Sequence, residues 1–295
     1  MNKLGQNILQ WLIHSNIFIA IAAVSFLYAN VLLLHLEDSV PWVIYLHVAS
    51  STWCVYQLSR WVYHRRLPIM PIKDDIYRWI DKNRLFMKIS IVVSAITAFV
   101  SFLFIHIHAQ LLVVGVGLIS VLYPLDIKYK QKSYRLRDLP LIKIGLIATV
   151  WSASTVLLPS VYQYIATKQI FLFMLQWLFI FIITIPFDIN DMITDKANSL
   201  KTFPIVLGIK RTISLEIVLS ILYLIGLFFF LMSDTYGILK FQKLSIFIGM
   251  SILIIFLLFF TAKKSFKVNK WIIMAVYDGS MIIYAAILFF ILKLM

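Results

Sequence analysis

The chain has 295 residues, 62% of them hydrophobic and 14% charged, with a formal net charge of +14. A soluble domain averages about half apolar and a quarter charged residues, so this composition excludes a single water-solvated globule and makes lipid the solvent. With one cysteine, Cys54, an intrachain disulfide is excluded as well.

Nine stretches approach the roughly 20 mostly apolar residues that a bilayer-crossing helix needs. In chain order they are Ile8–Leu34, Val40–Val62, Phe86–Ile105, Ala109–Leu125, Leu139–Pro159, Ile170–Phe187, Ile213–Met232, Leu244–Ala262 and Trp271–Leu292. Each is expected to be helical, because lipid offers no partner to a bare backbone N–H or C=O. The first is too long for a secretory leader and has only Lys3 in its flank, so it reads as a retained helix. The third and fourth form a hairpin around His106 and His108, which read as interfacial residues.

The basic residues crowd into alternate loops. Arg60, Arg65, Arg66, Lys73, Arg78, Lys82 and Arg84 follow the second stretch, and Lys128, Lys130, Lys132, Arg135, Arg137 and Lys143 follow the fourth. Lys196, Lys201, Lys210 and Arg211 follow the sixth; Lys263, Lys264, Lys267 and Lys270 follow the eighth. Opposite loops hold Lys168, Lys240 and Lys243. This is the positive-inside pattern, and it predicts a cytoplasmic N-terminus. The basic excess is therefore topological, and no nucleic-acid partner is expected. The expected fold is an all-α integral membrane protein of about nine transmembrane helices, with residues 1–295 as one domain. The second and sixth helices each lead into a charged cytoplasmic loop and a helix pair, a weak internal echo.

The sixth stretch ends in "PFDINDMITDKANSLKTFPIVLG", which begins at Pro186. Asp188, Asp191 and Asp195 stand at i, i+3 and i+7, one face of a helix if the helix continues past the proline. Three like charges within two turns repel one another unless a cation sits among them. Hard divalent ions favour carboxylate oxygens, and Mg²⁺ is commonly shared between one or two carboxylates and substrate phosphates. Lys196 and Lys201 flank the acids, while Lys210 and Arg211 close the loop, cations suited to clamping a diphosphate. The competing reading is a solvated charged loop.

The same stretch resembles the second aspartate-rich motif of the UbiA family of membrane-embedded prenyltransferases. Asp188, Asp191 and Asp195 fit its acids; Lys201, Thr202, Pro204, Leu207 and Gly208 fit its tail; Ser199 stands where the family usually has glycine. "YPLDIK", Tyr123 to Lys128, resembles the family's Tyr–x–Pro–x–x–Lys loop. The resemblance implies a helical bundle around a central cavity. It also implies transfer of an isoprenyl chain from an isoprenyl diphosphate to a lipid-soluble, often aromatic, acceptor, with Mg²⁺ as cofactor. By the same resemblance Asp188, Asp191 and Asp195 are catalytic and metal-binding, and Lys128 joins Lys196 and Lys201 at the diphosphate. A bacterial plasma membrane is the expected location.

The first motif of that family, N-D-x-x-D at the end of the second helix, is missing. "VYQLSRWVYHRR" places Val55 where the Asn is expected and Tyr56, Ser59 and Tyr63 where the acids are, and no carboxylate occurs between Asp38 and Asp74. Arg60, Arg65 and Arg66 offer guanidinium contacts to phosphate in their place. Ser59 and Tyr56 are candidates for the cavity wall. Asp74, Asp75 and Asp81 lie downstream, either folding back or forming a solvated loop with Lys73, Arg78 and Lys82. Asp278, about two turns into the last helix, and Gln176, mid-way along the sixth, are costly at membrane depth. Each is a candidate acceptor or cavity residue, or a structural hydrogen-bonding group. Three functions remain in play: a prenyltransferase, a degenerate relative that binds a lipid or diphosphate or serves a membrane complex, and a transporter with Asp278 and Gln176 on its path.

Overall fold

The computed structural model describes residues 3–66, 75–122, 127–129, 132–134, 142–163, 165–197, 200–233, 238–264 and 269–294. Fourteen helices carry nearly all of them. In the first half these are α1 (Lys3–His14), α2 (Ile17–Leu34), α3 (Trp42–Arg66), α4 (Asp75–Lys82), α5 (Arg84–Leu103) and α6 (Ile107–Leu122). Then come α7 (Ile142–Ser152) and α8 (Leu158–Ser160), joined by a wide π turn over Ala153–Leu157. The second half holds α9 (Thr167–Asn190), α10 (Met192–Ala197), α11 (Phe203–Leu207), α12 (Ile209–Ser233), α13 (Lys240–Lys264) and α14 (Lys270–Phe289), which runs on through a last turn to Leu294. Between α6 and α7 lies a short antiparallel ribbon, β1 (Ile127–Tyr129) and β2 (Lys132–Tyr134), with Lys128 opposite Ser133.

Each of the nine expected stretches is helical over its described residues, and among the described residues seven runs are long and apolar enough to cross a membrane. The two that fall short do so for different reasons. α3 is 25 residues long but carries Gln57, Ser59, Arg60, His64, Arg65 and Arg66 in its second half. α6 has 16 residues, a rise of about 24 Å against a hydrocarbon core of about 30 Å. On the seven long runs, large apolar side chains face outward, as Leu85, Ile89, Val92, Ile96 and Phe99 do along α5 and Ile252, Ile255, Phe256 and Phe259 along α13. The chain is an integral membrane protein, and those faces are its lipid contacts.

The first stretch is two helices. It breaks at Asn16, which takes the left-handed conformation (φ 57°, ψ 10°), a region that Asn tolerates better than most residues. The carbonyls at the end of α1 are met by one stripe of α3, spaced i, i+4, i+7, although Ile13 O also accepts from Asn16 N–H at 3.2 Å. Trp53 Nε1 donates to Ser15 O at 2.9 Å, Gln57 Nε2 to the same oxygen at 3.0 Å, and Arg60 Nη1 to Ile13 O and His14 O at 3.1 and 3.0 Å. Gln57 also accepts from Asn16 Nδ2 at 2.9 Å and donates to Ser90 Oγ on α5 at 2.8 Å.

Aromatic rings from four helices close the centre of the bundle. Phe26 (α2), Phe179 (α9), Tyr223 (α12) and Tyr284 (α14) contact one another with centroids 5.4–5.6 Å apart, the separation at which edge and offset packing is favourable. Buried polar groups then fix the register between helices. Gln176 donates to Tyr284 OH at 2.7 Å, Thr261 Oγ1 to Glu216 Oε1 at 2.8 Å, and Thr261 lies 2.7 Å from Tyr277 OH.

Gln57 is fully buried and bridges α1–α2, α3 and α5. The substitution Gln57→Leu leaves the Asn16 amide without its acceptor in the interior and is expected to cost about 2 kcal/mol. The check is a fall in the thermal unfolding midpoint of the detergent-solubilised protein, with no change in helical content at low temperature.

Candidate functional site

α9 continues four residues past Pro186, ends at Asn190, and hands over to α10 through Asp191 (φ −84°, ψ 3°). Helical hydrogen bonding bridges the handover, since Asp191 N–H donates to Phe187 O and Asp195 N–H to Asp191 O, both at 2.8 Å. The three acids therefore keep their helical phase. At 100° per residue, Asp195 returns to within 20° of Asp188, whereas Asp191 sits about 60° away.

That phase difference sends them to two partners. Asp188 and Asp195 face α7, where Lys143 Nζ lies 2.6 Å from Asp188 Oδ1 and 3.7 Å from Asp195 Oδ2. Asp191 faces the start of α14, where Lys270 Nζ donates to its two oxygens at 2.8 and 3.2 Å. The two pairs differ in burial: Asp188 is 1% exposed and Lys143 has a side chain 15% exposed, while Lys270 and Asp191 are 29% and 26% exposed.

Other expected site residues fall elsewhere. Lys196 and Lys201 are solvent-exposed. The side chains of Lys128, Tyr63, Arg65 and Arg66, with Tyr123, Lys73, Asp74 and Ser199, lie outside the described residues. Arg60 is committed to the end of α1, rests its Nη2 3.5 Å from Met274 Sδ, and interacts electrostatically with Asp278. Asp75 and Asp81 form exposed ion pairs with Arg78 (2.9 Å) and Arg84 (2.6 Å), and the hydrogen bond from Arg84, helped by His64, holds the Asp81 carboxyl below its usual range. Gln176 is fully buried against Tyr284 in the packed centre. The motif tail is a local device: Thr202 precedes the short helix α11, Pro204 occupies its second position and Gly208 ends it at φ 77°, ψ 158°, a conformation open to glycine and strained for other residues.

Tyr56 lines a cavity of about 150 Å³ between α3, α6 and α7. Its wall is apolar (Val48, Val55, Leu112, Val113, Val116, Trp151), with Ser51, Thr52, Ser120, Ser154 and Thr155 set into it. The π turn supplies Ser154 and Thr155, and Tyr56 meets Trp151 edge-on at 6.5 Å. Ser59 lies three residues beyond Tyr56, a turn further along α3 and half-buried. Lys143 lies seven residues before Val150 on α7, about 10 Å along the axis from the cavity wall.

The bundle has close counterparts among solved structures. A UbiA homologue from Archaeoglobus fulgidus bound to GPP and Mg²⁺ superposes with a TM-score of 0.59 over 96% of this chain and 99% of the other, at 11% identity. An apo UbiA homologue from Aeropyrum pernix K1 gives 0.62 over 90% and 96%, at 12% identity. A digeranylgeranylglyceryl phosphate synthase gives 0.53 over 93% and 96%, at 20% identity. The fold is that of the UbiA homologues. No family model matches the sequence, and no curated protein is significantly similar to it.

The donor set does not suit the Mg²⁺ of that UbiA homologue. Mg²⁺ demands near-octahedral oxygen ligation at about 2.0–2.1 Å. Here the three carboxylates are divided between two ammonium groups, and among the described residues no three His, Cys, Asp or Glu side chains are grouped to hold a metal ion. Sequence reasoning expected a metal at these acids and passed over Lys143 and Lys270. The available signal was the setting of Lys143, inside the run Leu139–Val150 with Leu141, Ile142 and Ile144 around it: a lysine embedded in an apolar helix needs a counter-ion.

The two pairs should respond differently to loss of the cation. Lys143→Met strands Asp188 and Asp195 in the interior and is expected to cost about 3–5 kcal/mol, much of it restored by adding Asp188→Asn. Lys270→Met, at a half-exposed pair, is expected to cost under about 1 kcal/mol. A double-mutant cycle on unfolding midpoints in detergent measures both.

Proposed function

We propose that the chain is a membrane-embedded prenyltransferase that moves an isoprenyl group from an isoprenyl diphosphate to a lipid-soluble acceptor. The observation that carries this reading is the juxtaposition of a charged cluster, Asp188, Asp191, Asp195, Lys143 and Lys270, with an apolar cavity about two helical turns away, in a bundle whose structural counterparts include one bound to GPP. The amphiphilic donor has the same division, a diphosphate at one end and a hydrocarbon chain at the other.

In the reaction the bond between the allylic carbon and the bridging oxygen breaks, and its electron pair leaves on the diphosphate. The acceptor's nucleophilic atom bonds to the resulting carbocation and gives up a proton. Lys143 and Lys270 stabilise the leaving diphosphate, with Lys196 and Lys201 on the solvent side and Lys128 as a further candidate. Asp188 and Asp191 hold the two ammonium groups in place, so that charge is preorganised where it develops. The apolar wall around Trp151 and Val113 takes the chain and excludes water, while Tyr56 and Ser59 stand at the end nearer the phosphates. The positive-inside pattern supports a cytoplasmic location of the charged end, and a bacterial plasma membrane is the setting we propose.

One observation favours a second reading, a lipid- or diphosphate-binding protein without turnover. α3 carries Tyr56 and Ser59 where the resemblance leads one to expect acids, and Arg60 is engaged with backbone carbonyls. The transport reading loses one of its two path residues, since Gln176 is packed against Tyr284.

Radiolabelled geranyl, farnesyl and geranylgeranyl diphosphates, incubated with the purified protein in lipid nanodiscs and a membrane lipid extract, test the proposal. Label is expected to pass from a water-soluble to a lipid-soluble product, and Asp191→Asn is expected to slow this by about 100-fold with folding intact. Binding without transfer selects the second reading; no binding at any chain length overturns both.

Chain-length preference offers an independent check. A Cβ at Gly117 in the cavity wall meets no atom within 4 Å, so Gly117→Phe fits there by filling the cavity. It is expected to shift preference toward shorter donors by about tenfold in kcat/KM, read by competition between geranyl and geranylgeranyl diphosphate.

A further inference from the structure

We infer that Lys143 and Lys270 are resident counter-cations that replace divalent metal at this site, so that the protein binds an isoprenyl diphosphate without Mg²⁺. The inference rests on the proposed function for the identity of the ligand, and on three observations for its substance.

The first is charge balance. A carboxylate cage built for divalent ions must hold an excess of negative charge, since the metals supply the positive. Residues 186–211 carry three carboxylates, Asp188, Asp191 and Asp195, against four cations, Lys196, Lys201, Lys210 and Arg211. With Lys143 and Lys270 the count becomes six cations to three carboxylates. Two of these cations, Lys143 and Lys270, touch the acids and the other four are exposed; a surplus of positive charge along the segment favours an anionic ligand over a divalent ion.

The second is position. Lys143 Nζ lies between Asp188 and Asp195, and Lys270 Nζ spans both oxygens of Asp191. Lys143 hydrogen-bonds Asp188 Oδ1 and Lys270 both oxygens of Asp191, while Asp195 Oδ2, at 3.7 Å, is beyond hydrogen-bond distance of Lys143. An ammonium has three donor hydrogens and no acceptor, so it can hold a carboxylate and a phosphate oxygen together, the bridging role otherwise given to Mg²⁺.

The third is the opposite wall. On α3 the positions facing the cavity and beyond it are Val55, Tyr56 and Ser59, which add no negative charge. Asp75 and Asp81 of α4 are paired with Arg78 and Arg84 at the surface. Among the described residues the acids of α9 and α10 thus meet Lys143 of α7 and Lys270 of α14, and the wall formed by α3 adds no carboxylate to them.

The test is binding of geranyl, farnesyl and geranylgeranyl diphosphate to the detergent-purified full chain by titration calorimetry, in EDTA and in excess Mg²⁺. The expected result is binding in EDTA with affinity within about threefold of that in Mg²⁺. Lys270→Gln and the charge-neutral pair Lys143→Gln with Asp188→Asn, chosen so that no buried charge is stranded, are each expected to lower affinity in EDTA by about tenfold or more. Binding that rises about tenfold or more when Mg²⁺ replaces EDTA overturns the inference and leaves the proposed function standing, as does full affinity in both lysine variants. Failure of all three diphosphates to bind in either condition removes the proposed function and this inference together.

Discussion

The buried contact between Lys143 and Asp188 is the constraint around which the charged end of the bundle is arranged. An aspartate 1% exposed at the end of a membrane-length helix is sustainable when an opposite charge meets it at short range. At 2.6 Å Lys143 does so, and it ties α7 to α9 where the chain leaves its apolar run. The helical phase of the next acids follows from that anchor. Asp195 returns to the same lysine while Asp191 is turned toward α14 and takes Lys270. Two lysines from the first turns of two helices thereby clamp one irregular segment, and the handover from α9 to α10 needs no glycine or loop to make it.

The polar half of α3 has a different employer from the one its position in the sequence suggests. Trp53, Gln57 and Arg60 form a stripe that meets the carbonyls where α1 stops at Asn16. Backbone carbonyls stranded near lipid are expensive, and a guanidinium with five donors is an efficient cap. Arg60 thus carries a structural duty at the end of α1. The adjacent stripe, Thr52, Val55 and Tyr56, is turned toward α6 and α7 and walls the cavity. One helix separates the two tasks by face.

The sequence makes the helices plain because lipid leaves the backbone no other choice, and the start of the acidic segment is visible as three aspartates in helical phase. What it conceals depends on pairings distant in the chain. The break at Asn16 is set by Gln57, 41 residues away, and nothing in the apolar run from Ile17 announces it. The lysines that pair with the acids come from 45 and 79 residues away, whereas nearness in sequence points to Lys196 and Lys201, which are exposed. Gln176 shows the same difficulty: polarity at membrane depth marks it, but whether it lines a cavity or bonds a neighbouring helix depends on Tyr284, 108 residues on.

Electrostatics also explains how such a site persists without the acids expected on α3. Removing carboxylates from one wall of a metal cage leaves the remaining acids with ions they no longer hold well, while a lysine placed among those acids neutralises them at once and is bound by the fold itself. Each further cation near the segment then favours an anionic ligand over a metal. At Asp188, Asp191 and Asp195 the acids hold two ammonium groups in place, which under the proposed function would meet the diphosphate. Fixed cations of this kind lose no affinity to metal depletion, and they cost interior stability if their partners are removed. The charge that would recognise the ligand and the charge that holds α7, α9 and α14 in register are therefore the same charge.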